Sequence, residues 1–253
     1  MTKNFTDLSM PIQKKFLEQG KTFLCHRADS EEVKEGEVLI LPGDRNTVCR
    51  IFSNYYGTVI FIRKRYKRKL EPFFRSLSFP DALLDSNLTE KILDELGANK
   101  KDYPYRKGNE SEGRHGCRHI TEWICTQDTF SPYDGEHKID IFRREDVGWR
   151  KDEDFDDKLF RVMSGRQVAG YSGCKESKKS LAKAGENVYA VKVGTHEPYR
   201  NQGIGKAAAS ANIREILDND GIAWGEIQVE NSAATSVAKS LGFVFTGGEL
   251  TIH

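Results

Sequence analysis

The stretch Tyr199–Ser210, YRNQGIGKAAAS, changes from loop chemistry to helix chemistry within a few residues. Gly203 and Gly205 are separated by one residue, and Lys206 and three alanines follow directly. Glycine disfavours an α-helix and alanine favours it, so the pattern predicts a turn that leads into a helix. The first N–H groups of a helix have no acceptor within it and lie at the positive end of the helix dipole. The stretch therefore predicts an anion-binding turn, to which Arg200 and Lys206 add positive charge.

The sequence around this turn predicts a regular order of strands and helices. A hairpin is expected around the dipeptide Ser164-Gly165, because a short turn signal there separates two strand-like runs. The predicted elements are strands at Leu159–Met163, Gln167–Cys174 and Asn187–Thr195, a helix at Gly203–Leu217, a strand at Ile222–Val229, a helix at Ser232–Leu241 and a strand at Phe243–Ile252. The order is β-β-β-α-β-α-β, with the glycine turn at the first strand-to-helix junction.

Two known phosphate-binding motifs compare poorly with the turn. A Walker loop needs a first glycine where Arg200 stands and a Ser or Thr where Ala207 stands. The dinucleotide fingerprint G-x-G-x-x-A is matched by Gly203, Gly205 and Ala208. However, the polar HEPYRNQ separates the preceding strand from Gly203, and too little chain follows for a doubly wound sheet. A Rossmann-type nucleotide-binding protein is therefore the weaker alternative.

A third family matches both the turn and the sequence that follows it. The segments VKVGTHEPYRNQGIGKAAAS and EIQVENSAATSVAKSLGF resemble the GNAT superfamily of acyl-CoA-dependent N-acyltransferases. The family's motif Gln/Arg-x-x-Gly-x-Gly/Ala is met by Arg200, Gly203 and Gly205, and its second signature by Asn231, an alanine-rich helix and Leu241-Gly242-Phe243. The resemblance covers the chain from about Arg118 to the C-terminus and implies an α/β (α+β) fold with a mixed, mostly antiparallel sheet and flanking helices.

The resemblance also implies a cofactor site. Acetyl-CoA, or a longer acyl-CoA, would be the co-substrate, with its diphosphate on the glycine turn and its pantetheine arm on the backbone of Val193 and Thr195. Asn231 would form a hydrogen bond to the same arm. The turn residues expected to bind the cofactor are Arg200, Asn201, Gln202, Gly203, Ile204, Gly205 and Lys206. No metal is expected in this chemistry.

The implied reaction is direct attack of a primary amine on the thioester, which needs a base for the ammonium and an acid for the thiolate. Glu226 is the first candidate for the base, since it lies on the strand expected to face the acyl arm. Many relatives carry a tyrosine seven residues after the motif asparagine, and here that position holds Ala238. Tyr171 and Tyr189, on the neighbouring strands, are the substitutes expected to donate a proton. The missing tyrosine keeps a second hypothesis open, a catalytically silent acyl-CoA-binding module.

The first hundred residues carry no chemical motif. The polar, glycine-bearing stretch 98–116 predicts a boundary between an N-terminal α+β domain at residues 1–106 and a GNAT-like domain at residues 116–253. The N-terminal domain looks like the degenerate first half of two-part GNAT proteins. Its predicted elements are a helix at Pro11–Gln19, alternating strands across Val48–Ile62 with a turn at Asn54–Gly57, and helices at Tyr66–Leu77 and Leu88–Leu96. Only one strand is predicted after the last helix of the chain, so the final GNAT strand is missing or comes from another segment or subunit.

Charge and composition limit the expected partners. Lys+Arg 39 against Asp+Glu 38 gives a net charge of +1, so no global field recruits nucleic acid or an anionic membrane. The basic run RKRYKRK at 63–69 is interpreted as a solvated face rather than an RNA-binding surface. No apolar run approaches the roughly 20 residues of a bilayer span, and no signal-peptide core follows the first methionine. The expected partner is an amine-bearing small molecule or peptide, with a homodimer as the expected assembly.

The five cysteines are scattered without the spacing of a disulfide framework, which indicates reduced thiols and a cytoplasmic protein. The stretch RHGCRHITEWIC gathers two histidines and two cysteines, all of which can ligate zinc. Its spacing contains no C-x-x-C pair, so a polar linker that leads into a strand is the favoured interpretation.

Overall fold

The computed structural model describes residues 3–29, 31–98, 103, 116–143, 158–177 and 187–253. The chain divides into two compact units, each built from several stretches. The first unit comprises the described residues of Met1–Met10, Trp123–Gly225 and Ala233–Val244, and the second those of Pro11–Glu122, Glu226–Ser232 and Phe245–His253. The stretch proposed as a linker lies almost wholly outside the described residues, and the division into domains at 1–106 and 116–253 stays a prediction.

The described residues form ten β-strands and five α-helices. The strands are β1 (Val38–Gly43), β2 (Cys49–Asn54), β3 (Thr58–Arg63), β4 (Cys117–Cys125), β5 (Ile139–Arg143), β6 (Lys158–Ser164), β7 (Gln167–Glu176), β8 (Val188–Thr195), β9 (Ile222–Gln228) and β10 (Val244–Ile252). The helices are α1 (Met10–Arg27), α2 (Lys67–Arg75), α3 (Leu88–Leu96), α4 (Ile204–Asp218) and α5 (Ser232–Ser240). Among these helices none is long and apolar enough to cross a bilayer.

The first unit contains strands in the order β9-β8-β7-β6-β5. The predicted hairpin is present, since β6 and β7 pair antiparallel around the turn at Ser164. β7 pairs antiparallel with β8, and β8 pairs in parallel with the start of β9. Helix α4 packs across β6, β7 and β8, where Ile204, Ala207 and Ala208 bury against Val162 and Ala169. The small alanine side chains allow the helix to lie close to the strands.

The second unit contains strands in the order β1-β3-β2-β10-β4-β9. Only part of β10, β4 and β9 belongs to this unit. The turn predicted between β2 and β3 is confirmed, because the Asn54 Oδ1 accepts a bond from the Tyr56 N–H at 2.9 Å. Only β1 and β3 pair in parallel within β1, β2, β3 and β10. The fold is therefore mixed α+β with a mostly antiparallel arrangement of strands, as the sequence predicted.

Helix α1 is longer than predicted. The expected helix ended at Gln19 because Gly20 follows, yet α1 continues to Arg27. Gly20 is buried, and a Cβ there would lie 2.9 Å from Asn54 Nδ2, which donates to the Gly20 carbonyl at 3.3 Å. The glycine thus permits a close approach between a helix and a strand turn instead of ending the helix.

The last strand of the chain has a partner from the first sixty residues. β10 pairs antiparallel with β2 from Gly247 opposite Asn54 to Ile252 opposite Cys49. The sequence left open whether the strand expected beside β10 was missing or came from elsewhere. The structure places β10 between β2 and β4, so both of its neighbours are other segments of the same chain.

Candidate functional site

The glycine turn adopts the left-handed backbone that an anion-binding loop needs. β8 ends at Thr195, a short 3-10 turn follows, and α4 begins at Ile204. Asn201 has φ 62° and Gly203, the N-cap of α4, has φ 77°. Glycine and asparagine are the residues that adopt this conformation most readily. The local sequence therefore explains the shape of the turn.

The first turn of α4 presents backbone donors. The Ala207 N–H bonds to the Gly203 carbonyl at 2.9 Å, and by helix geometry the three preceding N–H groups have no acceptor within the helix. No acidic residue lies in this first turn. These N–H groups and the helix dipole favour an anion at this end of α4.

The end of β8 packs directly against the start of α4. A Cβ built on Gly205 would lie 2.5 Å from Thr195 Oγ1 and 3.4 Å from Val193 Cγ1. Any larger residue at 205 would therefore require the Thr195 side chain, β8 or the helix to shift. Of the predicted cofactor residues, the structure brings Val193, Thr195 and Gly205 into contact, with Gly203 and Lys206 in the same turn.

The part of β8 that precedes the turn lies beyond the last residue that pairs with β9. The β8 and β9 strands are in register over Val188–Ile222, Tyr189–Ala223 and Ala190–Trp224 only. β8 then continues to Thr195 with β7 on its other side. Val193, in this extension, is 44% exposed, which is unusual for a valine in a strand. Such an edge can pair with an extended, amide-containing ligand.

A buried polar chain links α4 to β8. Asn212 of α4 is fully buried, and its Nδ2 donates to Ser172 Oγ at 3.0 Å. Ser172 Oγ in turn donates to the Lys192 carbonyl of β8 at 3.0 Å. The Asn212 Oδ1 has no partner among the described residues. This chain holds the helix in a set position along β8, since a slip would leave further buried polar atoms unpaired.

The two tyrosines proposed as proton donors lie on opposite faces of the strands. Tyr171 is paired with Gly194, and a Cβ on Gly194 would lie 2.5 Å from the Tyr171 Cζ, so the ring crosses that glycine. Tyr189 is paired with Ala223. Positions 189 and 194 are an odd number of residues apart, and side chains alternate along a strand. Tyr171 and Tyr189 therefore cannot serve the same reacting atom from one side.

Two further predicted residues belong to the second unit. Glu226, the predicted base, and Asn231, the predicted ligand of the cofactor arm, lie in the stretch Glu226–Ser232, and both are exposed. The Asn231 N–H donates to the Gln228 carbonyl at 2.8 Å, in the turn before α5. Their roles in a reaction stay predictions.

The remaining turn residues are arranged around the first turn of α4. Arg200, Asn201 and Gln202 are exposed, while Ile204 is buried and anchors the helix. Gln202 Nε2 donates to the Pro198 carbonyl at 3.2 Å and so braces the turn. Lys206 is half-buried.

The sequence analysis missed two residues that lie against this turn. Tyr133 and His137, from the segment between β4 and β5, stack with ring centroids 6.0 Å apart and planes 14° apart. His137 Nε2 lies 2.9 Å from the Gln202 carbonyl, and Lys206 Nζ lies 5.2 Å from the centre of the Tyr133 ring. Nothing in the sequence marks this contact, because about 70 residues separate it from the turn along the chain.

The two cysteines and the one histidine of β4 are buried. His119 is buried, its Nε2 lies 2.8 Å from the Leu83 carbonyl, and burial lowers its pKa to about 4. Burial raises the pKa of Cys125 to about 12, and its thiol donates to the Leu241 carbonyl at 3.5 Å. No three potential metal ligands cluster among the described residues, from which His115 is absent. None of the five cysteines is in a disulfide.

The family comparison agrees with this geometry. The model of the family described as "Acetyltransferase (GNAT) family" matches residues 117–243, half of the chain. The chain belongs to the GNAT family. The matched segment of this GNAT chain includes β8, the glycine turn and α4. No curated protein sequence matches the chain.

Solved structures show distant similarity. A GNAT-family protein from Novosphingobium aromaticivorans is 15% identical, with 54% of this chain and 63% of that chain covered and a TM-score of 0.43. An acetyltransferase from the GNAT family of Colwellia psychrerythraea is 11% identical, with 53% and 55% covered and a TM-score of 0.40. A GCN5-related N-acetyltransferase-like protein from Streptococcus suis is 15% identical, with 67% and 68% covered and a TM-score of 0.39. This chain spans less than two thirds of the first two proteins.

Proposed function

We propose that this GNAT chain transfers an acetyl or longer acyl group from acyl-CoA to a primary amine by direct attack. Membership of an acetyltransferase family supports the class of reaction. The observation that carries the proposal is the junction of β8 and α4. There, a left-handed turn and free helix N–H groups adjoin the part of β8 that lies beyond its last pair with β9.

The residues of this junction fit acyl-CoA as co-substrate. The diphosphate would accept hydrogen bonds from the amides of the first turn of α4, with Arg200 and Lys206 adding charge. The amides of the pantetheine arm would pair with the β8 backbone at Val193 and Thr195. The missing Cβ of Gly205 allows β8 and the start of α4 to touch, which brings the strand edge and the turn next to each other.

The chain's own groups would then move the protons. Glu226 is the first candidate for the base that removes a proton from the ammonium, and Tyr171 or Tyr189 for the acid that protonates the thiolate. The two tyrosines lie on opposite faces, so replacing each one separately distinguishes them. A CoA-type thiolate can also leave without an acid near neutral pH.

A second candidate function is a catalytically silent acyl-CoA-binding module. The observation that favours it is Ala238, which stands where many relatives carry a tyrosine and which is only 7% exposed in α5. An alanine has no proton to donate. This module would bind acyl-CoA at the same turn without turnover.

The proposal extends to partners and location. The near-zero net charge favours a small amine or peptide acceptor over nucleic acid or a membrane surface, and a homodimer is the proposed assembly. Cysteines without disulfides suit a reducing compartment, for which we propose the cytoplasm.

A screen of primary amines with acetyl-CoA, reading release of free thiol, tests the proposal. Amine-dependent release that falls at least about 100-fold in Glu226→Gln, with acetyl-CoA affinity unchanged, supports the transferase and the base. Glu230→Gln, an exposed carboxylate two residues beyond the end of β9, is the matched control. Tight acetyl-CoA binding without thiol release from any amine supports the silent module. No binding of acetyl-CoA refutes both.

A further inference from the structure

The segment Ser131–His137, here called the Tyr133 segment, is fixed against the glycine turn at several points. The Ser131 N–H donates to the Leu241 carbonyl at 3.1 Å, and the Tyr133 N–H donates to Ser210 Oγ of α4 at 2.9 Å. At its other end, His137 contacts the Gln202 carbonyl at 2.9 Å. These bonds connect the segment to both the body of α4 and the turn that precedes it. The segment is therefore preorganised beside the predicted diphosphate site.

The Tyr133 ring is held by three kinds of neighbour. His137 stacks on it, and the Lys206 ammonium lies 5.2 Å from its centroid, a distance typical of a cation–π contact. The ring also packs against the buried cluster that includes Ile204 and Ala207. The position of the ring thus follows from packing that does not involve its hydroxyl group.

The Tyr133 hydroxyl lies at the glycine turn with no hydrogen-bond partner among the described residues. A Cβ built on Gly203 would collide with this hydroxyl, so the oxygen lies directly against the N-cap of α4. Tyr199, which packs on the same buried cluster, differs in that its hydroxyl donates to Gln167 Oε1 at 3.4 Å. A polar group at a protein surface that is positioned but unpaired is available to a ligand.

We propose that Tyr133 is a binding residue of the cofactor site, whose hydroxyl donates a hydrogen bond to the diphosphate of acyl-CoA. This inference rests on the proposed function. The amides of α4 surround only one side of the turn, and the Tyr133 segment forms a second wall from a distant part of the chain. A diphosphate has several acceptor oxygens, so it can accept hydrogen bonds from the α4 amides and from the Tyr133 hydroxyl at the same time. The arrangement selects acyl carriers that contain a diphosphate.

The test compares Tyr133→Phe with Tyr199→Phe, which removes the same oxygen from a ring in the same cluster. Phenylalanine keeps the ring, its stacking on His137 and its contact with Lys206, so both variants are expected to unfold at the wild-type temperature. Isothermal titration gives the Kd of acetyl-CoA, and competition gives the inhibition constant of inorganic diphosphate. Both constants are expected to rise about tenfold in Tyr133→Phe and to stay at the wild-type value in Tyr199→Phe, because a hydrogen bond to a charged group is lost only in the first.

Failure of this inference can be distinguished from failure of the proposed function. Wild-type protein that does not bind acetyl-CoA would refute the proposed function. Wild-type binding with an unchanged Kd in Tyr133→Phe would refute the role of the hydroxyl and leave the function standing. A rise in the Kd of acetyl-CoA alone, or no competition by inorganic diphosphate, would place the contact away from the diphosphate and also overturn the inference.

Discussion

Replacing Gly205 with alanine tests the packing of α4 on β8. The new methyl carbon would lie 2.5 Å from Thr195 Oγ1, about 0.9 Å closer than the 3.4 Å at which ordinary contact begins. The Thr195 backbone is in register with Gly170 of β7, so relief requires rotation of the Thr195 side chain or a shift of α4. Overpacking of this kind destabilises proteins by about 1–3 kcal/mol, while the gain in helix propensity over glycine offsets up to about 1 kcal/mol. We expect a net loss of about 1 kcal/mol in the free energy of unfolding.

A double-mutant cycle isolates this collision. Thr195→Ala removes the colliding oxygen, so the double variant is expected to be about 1–2 kcal/mol more stable than the sum of the single variants predicts. Thr195→Ser keeps the oxygen and is the control, which should not reduce the destabilisation caused by Gly205→Ala. Urea unfolding of the four proteins measures the coupling. Additivity within about 0.5 kcal/mol would refute the contact between α4 and β8.

The same cycle separates steric from electrostatic effects on cofactor binding. Gly205→Glu adds a negative charge where the diphosphate is proposed to bind, so the affinity for acetyl-CoA should fall at least about tenfold, or 1.4 kcal/mol. Thr195→Ala relieves the packing but not the charge, and the loss should therefore persist in the double variant. Equal acetyl-CoA affinities in Thr195→Ala and in Gly205→Glu with Thr195→Ala would refute the assignment of the turn.

Three further predictions concern stability. Because burial lowers the pKa of His119 to about 4, the folded state favours the neutral imidazole. The free energy of unfolding should therefore fall by about 3 kcal/mol as the pH drops from about 6.5 to 4. Urea unfolding should show a flatter pH dependence in His119→Gln, and an unchanged pH dependence would contradict this prediction. A fragment that begins at Gly116 should aggregate, as measured by light scattering, while the full chain does not. The fragment lacks β2 and so exposes the edge of β10 that pairs with β2. A monodisperse fragment would show that β10 does not need this partner. Ser172→Ala should lower the free energy of unfolding by about 1–3 kcal/mol, because Asn212 Nδ2 then loses its hydrogen bond to the Ser172 hydroxyl. A neutral effect would contradict the buried polar chain.

The elements nearest the glycine turn were predictable because their signals are local. The alanine-rich run after Gly205 forms α4 within one residue of the predicted start and end, and the hairpin of β6 and β7 lies where its turn dipeptide indicated. Helix α3 has the predicted bounds, Leu88–Leu96. β1 and β5 were not predicted. β1 includes Pro42, a residue that is rare inside strands, and β5 is a short strand.

The candidate site also has parts that the sequence predicted and parts that it did not. The turn is defined by residues that are adjacent in sequence: its glycines, the cationic Arg200 and Lys206, and the start of the helix. The resemblance to GNAT proteins rests on them. Tyr133 and His137 reach the turn only through the fold, and the opposite orientation of Tyr171 and Tyr189 follows from the register of β7, β8 and β9. Register depends on which backbone groups pair, and most strand residues are compatible with several alternatives.

The sequence by itself therefore determined the family, the turn with its left-handed glycine, and the succession of strands and helices around it. These features depend on backbone preferences of neighbouring residues, which each short segment expresses without the rest of the chain. The tertiary structure alone decided that β10 pairs with β2, that Gly20 admits a strand turn, and that the Tyr133 hydroxyl faces the N-cap of α4. Those contacts join residues far apart in the chain, and their free energy depends on packing and pairing that exist only when the whole chain has folded.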